Sequence, residues 1–176
     1  MINGIPASGK STLAAGLSRQ SGWLSLSLDG IKNPFLQHLG GVDRTMNRTL
    51  GKASYQVIWS IVAQAPAGST FIIDAWFGFQ PRELLAHYLA HAGVTRLVEV
   101  WCRISAQLAA ARYAARLADR LPGHPGAEYL PELRALAERA GPMALGPVFS
   151  VDQDQPQDTR VIYDWIMQTL PRAAVI

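Results

Sequence analysis

A short glycine-containing segment near the beginning of the chain constrains the fold more than any other feature of the sequence. Residues 4–11, GIPASGKS, follow the spacing G-x-x-x-x-G-K-[ST] and lead directly into a run that favours a helix. Two glycines let the backbone curve so that successive N–H groups point at one anion, and the helix dipole adds to the attraction. The segment therefore predicts a phosphate-binding loop between a strand and a helix. The residues expected to surround the phosphates are Gly4, Pro6, Ala7, Ser8, Gly9, Lys10, Ser11 and Thr12.

The side chains at the end of this loop add the chemistry of triphosphate binding. Lys10 is placed to reach the β- and γ-phosphates, and the Ser11 hydroxyl is placed to ligate Mg²⁺. Leu13 and Leu17 recur at helical spacing after the loop, and Gly22 ends the predicted helix. The alternative is an ordinary glycine-rich turn, and the helix that follows argues against it.

The segment before the loop is short. Only three residues precede Gly4, whereas a central strand usually has about five or six. The sequence leaves two explanations open, a very short first strand or a native chain that begins before Met1.

Composition limits the classes of protein to which the chain can belong. With 176 residues, of which 49% are hydrophobic, it is expected to form one domain spanning 1–176. A single cysteine excludes an intrachain disulfide framework and fits a reducing compartment. No apolar run reaches the roughly 18 residues of a membrane span, and the early loop leaves no room for a secretory signal. We therefore expect a cytoplasmic protein with no membrane partner.

The formal net charge of +3 does not by itself indicate nucleic-acid binding. Thirteen of the sixteen basic residues are arginines, and they are spread along the chain with no block of five like charges. This distribution argues against nucleic acid as a partner and favours a small molecule. The sequence is compatible with a monomer or a homodimer.

Strand-like and helix-like segments alternate along the chain. The run 23–28 alternates apolar and polar residues, as an edge strand does, whereas 70–73 is typical of a central parallel strand. Strands separated by helices predict a parallel α/β sheet with helices on both faces. Further strands are predicted at 97–101 and 147–151, and helices from Asp43 to about Pro66, from Pro81 to Gly93 and from about Asp158 to Leu170; the first of these helices carries an apolar stripe of Met46, Leu50, Val57, Ile58, Ile61 and Val62.

Asp29 directly follows the predicted second strand. In sheets of this kind, ligands gather at the carboxyl ends of the strands, so this carboxylate is expected at the site. It could accept the proton of an attacking hydroxyl or orient that hydroxyl toward the γ-phosphate. The alternatives are a turn aspartate before Gly30 or a cap for a helix that starts near Ile31.

Asp74 ends a third predicted strand after three apolar residues. An acid at this position follows the Walker B pattern, in which the carboxylate holds Mg²⁺ or its bound water. The next residue is Ala75, where motor-type ATPases usually have a glutamate that activates water. The pattern therefore predicts a metal site made of Ser11 and Asp74, and it argues against a dedicated hydrolase.

Three arginines, Arg112, Arg116 and Arg120, follow the fourth predicted strand at intervals of four residues. Such spacing places them on one helix face. Beside the loop 123–126, they are expected to form a lid that stabilises charge on the transferring phosphoryl group. The alternative is a solvated basic stripe. A separate aromatic segment after Asp74, made of Trp76, Phe77 and Phe79, is a candidate wall of an acceptor pocket together with Phe35 and Tyr55.

Taken in order, these motifs resemble those of small P-loop kinases of the adenylate-kinase-like fold. The most similar group contains zeta toxins, chloramphenicol phosphotransferase, gluconate kinases and polynucleotide 5′-hydroxyl kinases. The loop 4–12, the segment 27–29, the region 112–126 and the segment 151–156 carry the resemblance, which covers nearly the whole chain. Gln153 departs from the group, in which a threonine is common at that position.

The resemblance implies a P-loop NTPase with a five-stranded parallel sheet and a small helical lid at about 103–130. It also implies Mg·ATP-dependent transfer of a phosphoryl group to a hydroxyl, with Asp29 as the base. The segment 151–156 would border the adenine. The implied catalytic residues are Lys10, Asp29, Arg116 and Arg120, and Arg112 and Gln153 are implied to contact the nucleotide.

We therefore expect a kinase that phosphorylates a hydroxyl of a small molecule, such as a sugar or an antibiotic. A polynucleotide 5′-hydroxyl kinase is the nearest alternative, although no concentrated basic tract supports it. A module that binds ATP without transferring its phosphate is an alternative of a different class. The sequence does not distinguish ATP from GTP.

Overall fold

Five parallel strands form one sheet in the computed structural model of the chain, which describes residues 1–170. The strands lie in the order β2-β3-β1-β4-β5. The prediction of a five-stranded parallel sheet is confirmed, and β2 lies at an edge as its alternating pattern indicates. The single-domain prediction also covers 171–176, which lie outside the described residues. The strands are β1 (Ile2–Asn3), β2 (Leu24–Ser27), β3 (Phe71–Ala75), β4 (Glu99–Arg103) and β5 (Val148–Asp152).

The short first strand occupies the centre of the sheet. Ile2 is in register with Asp74 of β3 on one side and with Val100 of β4 on the other. The glycine-containing loop leaves β1 at the middle of the carboxyl edge, where ligands bind in sheets of this type.

Among residues 1–170, seven helices lie around the sheet and cover both of its faces. Neighbouring residues of β3 show the two layers, because Ile73 belongs to an apolar cluster with α3 and α4, and Ile72 to one with α1 and α7. Helices on both faces are therefore confirmed. The helices are α1 (Lys10–Ser21), α2 (Leu28–Leu39), α3 (Arg44–Gln64), α4 (Arg82–His91), α5 (Ala106–Ala114), α6 (Leu130–Arg139) and α7 (Thr159–Thr169).

A third apolar cluster attaches α5 and α6 to the carboxyl edge of the sheet. Tyr113 of α5 and Leu133 of α6 are buried there against Ile5 of the loop and Trp101 of β4. The predicted lid at about 103–130 thus corresponds to α5 and the connection 115–129, which includes a 3-10 turn at Ala127–Tyr129. This anchoring places the connection beside the loop.

The predicted strand 23–28 is one residue too long at its C-terminal end, because Leu28 begins α2. Ser27 caps that helix, and its hydroxyl accepts a hydrogen bond from the Gly30 N–H at 3.4 Å. Asp29 consequently lies in the first turn of a helix. The predicted strand 97–101 is also shifted, since β4 begins at Glu99.

The predicted apolar stripe of α3 is only partly buried. Ile58 is buried, whereas Met46, Val57 and Ile61 are 36–47% exposed. Two large aromatic residues, Tyr55 and Trp59, occupy the side of the helix that packs on the sheet. The volume of these two side chains determines which side of α3 packs against the sheet. The hydropathy pattern alone does not predict that side.

Local signals set the other helix ends close to their predicted positions. Asp43 caps α3 by accepting a hydrogen bond from the Met46 N–H at 2.7 Å, and Asp158 caps α7 through the Arg160 N–H. Pro81 stands immediately before α4 rather than at its first position. Among residues 1–170, no helix is both long enough and apolar enough to cross a lipid bilayer.

Candidate functional site

The loop between β1 and α1 depends on small residues at two positions. A Cβ atom on Gly4 would lie 2.3 Å from the Ser8 hydroxyl, and one on Gly9 would lie 2.5 Å from Oε1 of Gln153. Gly9 also has a φ of 81°, which L residues rarely adopt, and Ala7 adopts a similar φ of 67°. The tight curvature inferred from the sequence is therefore present in the backbone.

The end of the loop presents free amides and a cation at one place. Gly9 precedes α1 without a side-chain cap, so the first-turn N–H groups of Lys10, Ser11 and Thr12 point out of the helix end. The Lys10 ammonium has only a marginal contact, 3.5 Å from the Ile5 carbonyl oxygen. A helix end with unpaired amides and a lysine suits a phosphate group.

Asp74 lies close to the end of β3, with Ala75 as the last residue of the strand. Its side chain is buried, and Oδ1 has no hydrogen-bond partner among the described residues. A buried carboxylate oxygen without a partner fits a cation or its bound water. Ser11 stands at the start of α1, so the donor set of one hydroxyl and one carboxylate fits Mg²⁺, which takes its other ligands from water and phosphate oxygens.

Asp29 forms an ion pair with Lys32, one helical turn along α2. Its Oδ1 lies 3.1 Å from Lys32 Nζ, and the Asp29 side chain is 57% exposed whereas that of Lys32 is only 10% exposed. Burial opposes ionisation of Asp29, but the attraction of Lys32 and Lys10 outweighs it and lowers the pKa of this carboxyl. Asp29 follows β2 and Lys10 follows β1 and its loop, so both residues belong to the carboxyl edge of the sheet, where ligands bind.

The three arginines do not share one helix face, so that prediction is wrong. Helix α5 ends at Ala114, and only Arg112 lies within it. Arg116 follows in a turn, where its Nε donates to the Arg112 carbonyl oxygen at 3.1 Å. Arg120 lies in the irregular connection, with its guanidinium carbon 4.3 Å from the centre of the Tyr113 ring.

Arg112 and Arg116 line a cavity beside the loop. The cavity has a volume of about 470 Å³, and Gly9, Thr12 and Gln153 also contribute to its lining. Arg112 donates to the Gln153 carbonyl oxygen at 3.1 Å, which connects α5 to the segment after β5. The structure thus brings two of the three arginines and Gln153 together with the loop.

Arg120 belongs to a different group, centred on His124. Its Nη2 lies 3.2 Å from Nδ1 of His124, and Nε2 of His124 lies 2.9 Å from Oδ1 of Asn33 in α2. Because a guanidinium can only donate, Nδ1 accepts, and Nε2 carries the proton that it donates to Asn33. Burial, with a contribution from the nearby Lys32 and Arg120 charges, lowers the pKa of His124 to about 4.

Sequence reasoning missed Lys32 and Asn33. Lys32 forms an ion pair with Asp29, and Asn33 is hydrogen-bonded to His124. The signal was available, since Lys32 is three residues after Asp29 and therefore one helical turn away. The favoured interpretation placed Asp29 after a strand, and a helix starting near Ile31 was only an alternative, so the one-turn spacing was not used. A third missed residue, Glu99, is fully buried and accepts hydrogen bonds from Asn3 Nδ2 and from the Met143 N–H.

Within the aromatic segment after Asp74, Phe77 is part of the core, whereas Trp76 is half-buried and Phe79 is 38% exposed. Phe77 is buried, and its N–H donates to Asn3 Oδ1 at 3.1 Å. Tyr55 packs edge-on against Phe77 and Phe79, with ring centres 5.7 and 5.4 Å apart. Phe35 is exposed on α2. A wall for an acceptor pocket made of these residues stays a prediction.

The five-stranded parallel sheet with helices on both faces and the glycine-containing loop define a P-loop protein with the fold of small kinases. A family model, AAA_33, described as an AAA domain, matches residues 1–139. The chain belongs to this family. None of the curated proteins matches the chain in sequence.

Solved structures support the same fold. A protein from Chloroflexus aurantiacus that is provisionally described as a kinase has 26% identity and a TM-score of 0.83, with 96% of each chain covered. A sugar kinase from Janibacter sp. has 16% identity and a TM-score of 0.59, covering 98% of this chain and 93% of its own. A deoxyadenosine kinase from M. mycoides has 18% identity and a TM-score of 0.55, with 95% of each chain covered.

Proposed function

We propose that this chain transfers the γ-phosphoryl group of Mg·ATP to a hydroxyl of a small molecule, such as a sugar or an antibiotic. The observation that carries the proposal is the position of Asp29, which lies in the first turn of the helix after β2, is paired with Lys32, and stands on the same carboxyl edge of the sheet as the phosphate-binding loop. A carboxylate beside the γ-phosphate position is needed for transfer to an alcohol, whereas binding alone does not require it. The resemblance to the Chloroflexus protein supports the same class.

In the proposed reaction, the acceptor oxygen forms a bond to the γ-phosphorus while the bond from that phosphorus to the β–γ bridging oxygen breaks. ADP leaves with the electron pair, and the hydroxyl proton passes to Asp29 and then to solvent. The transition state is loose, so the protein contributes mainly by positioning the groups and neutralising charge.

Asp29 is suited to orienting the hydroxyl rather than to removing its proton early. The pairing with Lys32 keeps the pKa of the carboxyl below its usual value, which makes it a weak base. A loose transition state releases the proton late, so a weak but well-placed acceptor is sufficient.

The cations around the loop would divide the remaining tasks. Lys10 and Arg116 lie on the phosphate side, and Arg120 approaches from the lid to stabilise charge on the transferring group. Arg120 has a buried Nε without a partner in the described part of the chain, which leaves a donor for that purpose. Arg112 and Gln153 line the cavity next to the loop and are proposed to contact the nucleotide.

Ser11 and Asp74 are the residues proposed to hold Mg²⁺. When bound, the ion would offset the negative charge of the β- and γ-phosphates. The unpartnered Oδ1 of Asp74 supports this assignment, because a buried polar atom without a partner in the described part of the chain is unfavourable.

A panel of sugars, antibiotics and nucleosides, with ADP release as the readout, tests the proposal. Replacing Asp29 by asparagine should lower kcat by about 10² or more with little change in ATP affinity. Asp164→Asn, at an exposed position of α7, is the matched control and should leave kcat unchanged. An Asp29→Asn protein with normal kcat would remove Asp29 from the mechanism.

Two further assays distinguish the proposed function from the two alternatives. Transfer of labelled phosphate to a 5′-hydroxyl oligonucleotide, with a steep salt dependence, would identify a polynucleotide kinase instead. ATP that raises the melting temperature, while no acceptor stimulates its consumption, would identify a binding module.

A further inference from the structure

Buried hydrogen-bonding atoms without a partner fall into two groups in the described part of the chain. One group surrounds the phosphate-binding loop and the lid and comprises Ser8 Oγ, Asp74 Oδ1 and Arg120 Nε. The second group lies on α3 and just after β3. Native proteins pair nearly all buried polar atoms, so a cluster of unpaired ones calls for an explanation. The second group consists of Asn47 Oδ1, Ser54 Oγ, Tyr55 Oη, Trp59 Nε1 and Gln80 Oε1.

Asn47 and Ser54 lie on the same side of α3, because seven residues make close to two helical turns. Asn47 is 8% exposed and Ser54 is fully buried. Gln80, also 8% exposed, follows the 3-10 turn Phe77–Phe79 after β3. All three side chains are more than nine-tenths buried, and each has an oxygen without a donor.

These residues belong to the same edge of the sheet as the phosphate-binding loop. Helix α3 leads into the parallel strand β3, so its N-terminal half lies at the carboxyl edge of the sheet. The lid confirms this position, since a Cβ atom on Gly123 would lie 3.1 Å from Cβ of Val42, just before α3. Asn47 and Ser54 are therefore on the side from which an acceptor would approach the γ-phosphate.

Open space lies beside the unpaired oxygens of Asn47 and Ser54. Gly51 lies between Asn47 and Ser54 on α3 and is itself buried. A Cβ atom on Gly51 would meet no atom within 4 Å. Because glycine weakens a helix interior relative to alanine, the open position is not explained by helix stability or by close packing. The buried, open position leaves room for part of a ligand on this side of the helix.

We propose that the side of α3 bearing Asn47, Gly51 and Ser54, together with Gln80, binds the acceptor of the reaction, and that this acceptor is an uncharged polyhydroxyl compound. The inference rests on the proposed function and names its substrate class. Carbonyl oxygens of Asn47 and Gln80 need donors, which hydroxyl groups supply and carboxylates or phosphates do not.

The charges near this surface support an uncharged acceptor. Lys32 is already paired with Asp29, and Arg48 and Lys52 of α3 are exposed. An anionic acceptor buried against Asn47 and Ser54 would lack a counter-charge, and burial of an unpaired charge is strongly unfavourable. The class includes sugars, cyclitols and nucleosides.

The test measures ADP release with myo-inositol, D-ribose and thymidine as uncharged probes, and with D-gluconate and AMP as charged ones. For the best acceptor, Asn47→Ala and Ser54→Ala should each raise the acceptor KM by roughly tenfold, because one hydrogen bond is lost. The KM for ATP should change by less than about twofold, since the nucleotide lies elsewhere.

Substitution of Gly51 should stabilise the fold and at the same time weaken binding of the acceptor. Gly51→Ala should raise the melting temperature, because alanine favours a helix, yet raise the acceptor KM. Gly51→Leu should raise that KM further by filling the space. Ala53→Leu, at an exposed position of the same helix, is the matched control and should leave the acceptor KM unchanged.

Each outcome decides one of the two proposals. An uncharged acceptor whose KM ignores the Asn47, Gly51 and Ser54 substitutions would overturn the site and leave the proposed function intact. Preference for D-gluconate would overturn the uncharged class and leave the proposed function intact, whereas transfer to the phosphate of AMP would overturn both the uncharged class and transfer to a hydroxyl. A protein that binds ATP but phosphorylates neither these probes nor any member of the wider panel of sugars, antibiotics and nucleosides would overturn both.

Discussion

Nε2 of His124 lies 2.9 Å from Oδ1 of Asn33, and this contact joins the lid to α2 four residues after Asp29. A single hydrogen bond therefore ties the irregular connection 115–129 to the helix that carries the proposed base. If the connection 115–129 opens as the proposed lid, this hydrogen bond has to break.

Asn33→Ala should loosen the lid. Loss of one hydrogen bond worth about 1 kcal/mol should increase the equilibrium constant for opening of the connection 115–129 roughly fivefold. Hydrogen exchange of the amides in 115–129 is the measurement, with His38→Ala on the same helix as the control. Equal exchange rates in Asn33→Ala and the unmodified protein would show that this contact does not hold the lid.

Protonation of His124 should weaken the folded state in mild acid. The pKa of His124 is lowered to about 4 in the fold, whereas it is about 6.5 in an unfolded chain. The unfolded state therefore binds more protons between these values, and stability is lost as the pH falls from about 6.5 toward 4. The free energy of unfolding, measured with urea at several pH values, should depend less steeply on pH in His124→Gln, because glutamine cannot be protonated. His87→Gln, on α4, is the control and should keep the pH dependence of the unmodified protein.

Lys32→Met should move the acid limb of the kcat profile to higher pH. The methionine keeps most of the volume but removes the cation that favours ionised Asp29, so the pKa of that carboxyl should rise. The exposed Lys52→Met serves as the control. Steady-state rates from pH 4 to 8 provide the measurement, and an unshifted limb in Lys32→Met would contradict a role for the pair.

Gly9→Ala should abolish or strongly weaken ATP binding. Its φ of 81° costs an L residue about 1 kcal/mol, and its Cβ would also overlap Gln153 Oε1. Gly22→Ala is a matched control, because Gly22 has a φ of 74° with no atom within 4 Å of its Cβ position.

Calorimetric titration with ATP separates the two glycines. Gly22→Ala should lose a similar amount of stability through backbone strain while keeping its ATP affinity, because it lies at the far end of α1. If both variants bind ATP normally, the curvature at Gly9 is not needed for phosphate binding.

The features that the sequence predicts well are those set by local spacing. The loop 4–11, the buried strand before Asp74 and the cap at Asp43 each depend on neighbouring residues, and each is present in the structure. The parallel sheet follows from the alternation of elements, which the chain displays without interruption.

The features that the sequence does not predict depend on contacts between distant segments. Arg116 and Arg120 keep a four-residue spacing, but α5 ends at Ala114 and the chain turns toward α2, where His124 meets Asn33. Spacing describes a face only while the helix continues. The inward side of α3 likewise depends on how Tyr55 packs against Phe77, which no local pattern records.

The two groups of unpaired buried atoms have a consequence for how the protein should be handled. A ligand that pairs these buried polar atoms binds only the folded state and therefore raises the free energy of unfolding. The stability measured without ligands should consequently be lower than that of the protein with its ligands bound. Purification and crystal growth in the presence of nucleotide and an uncharged polyol should therefore give the more tightly ordered molecule.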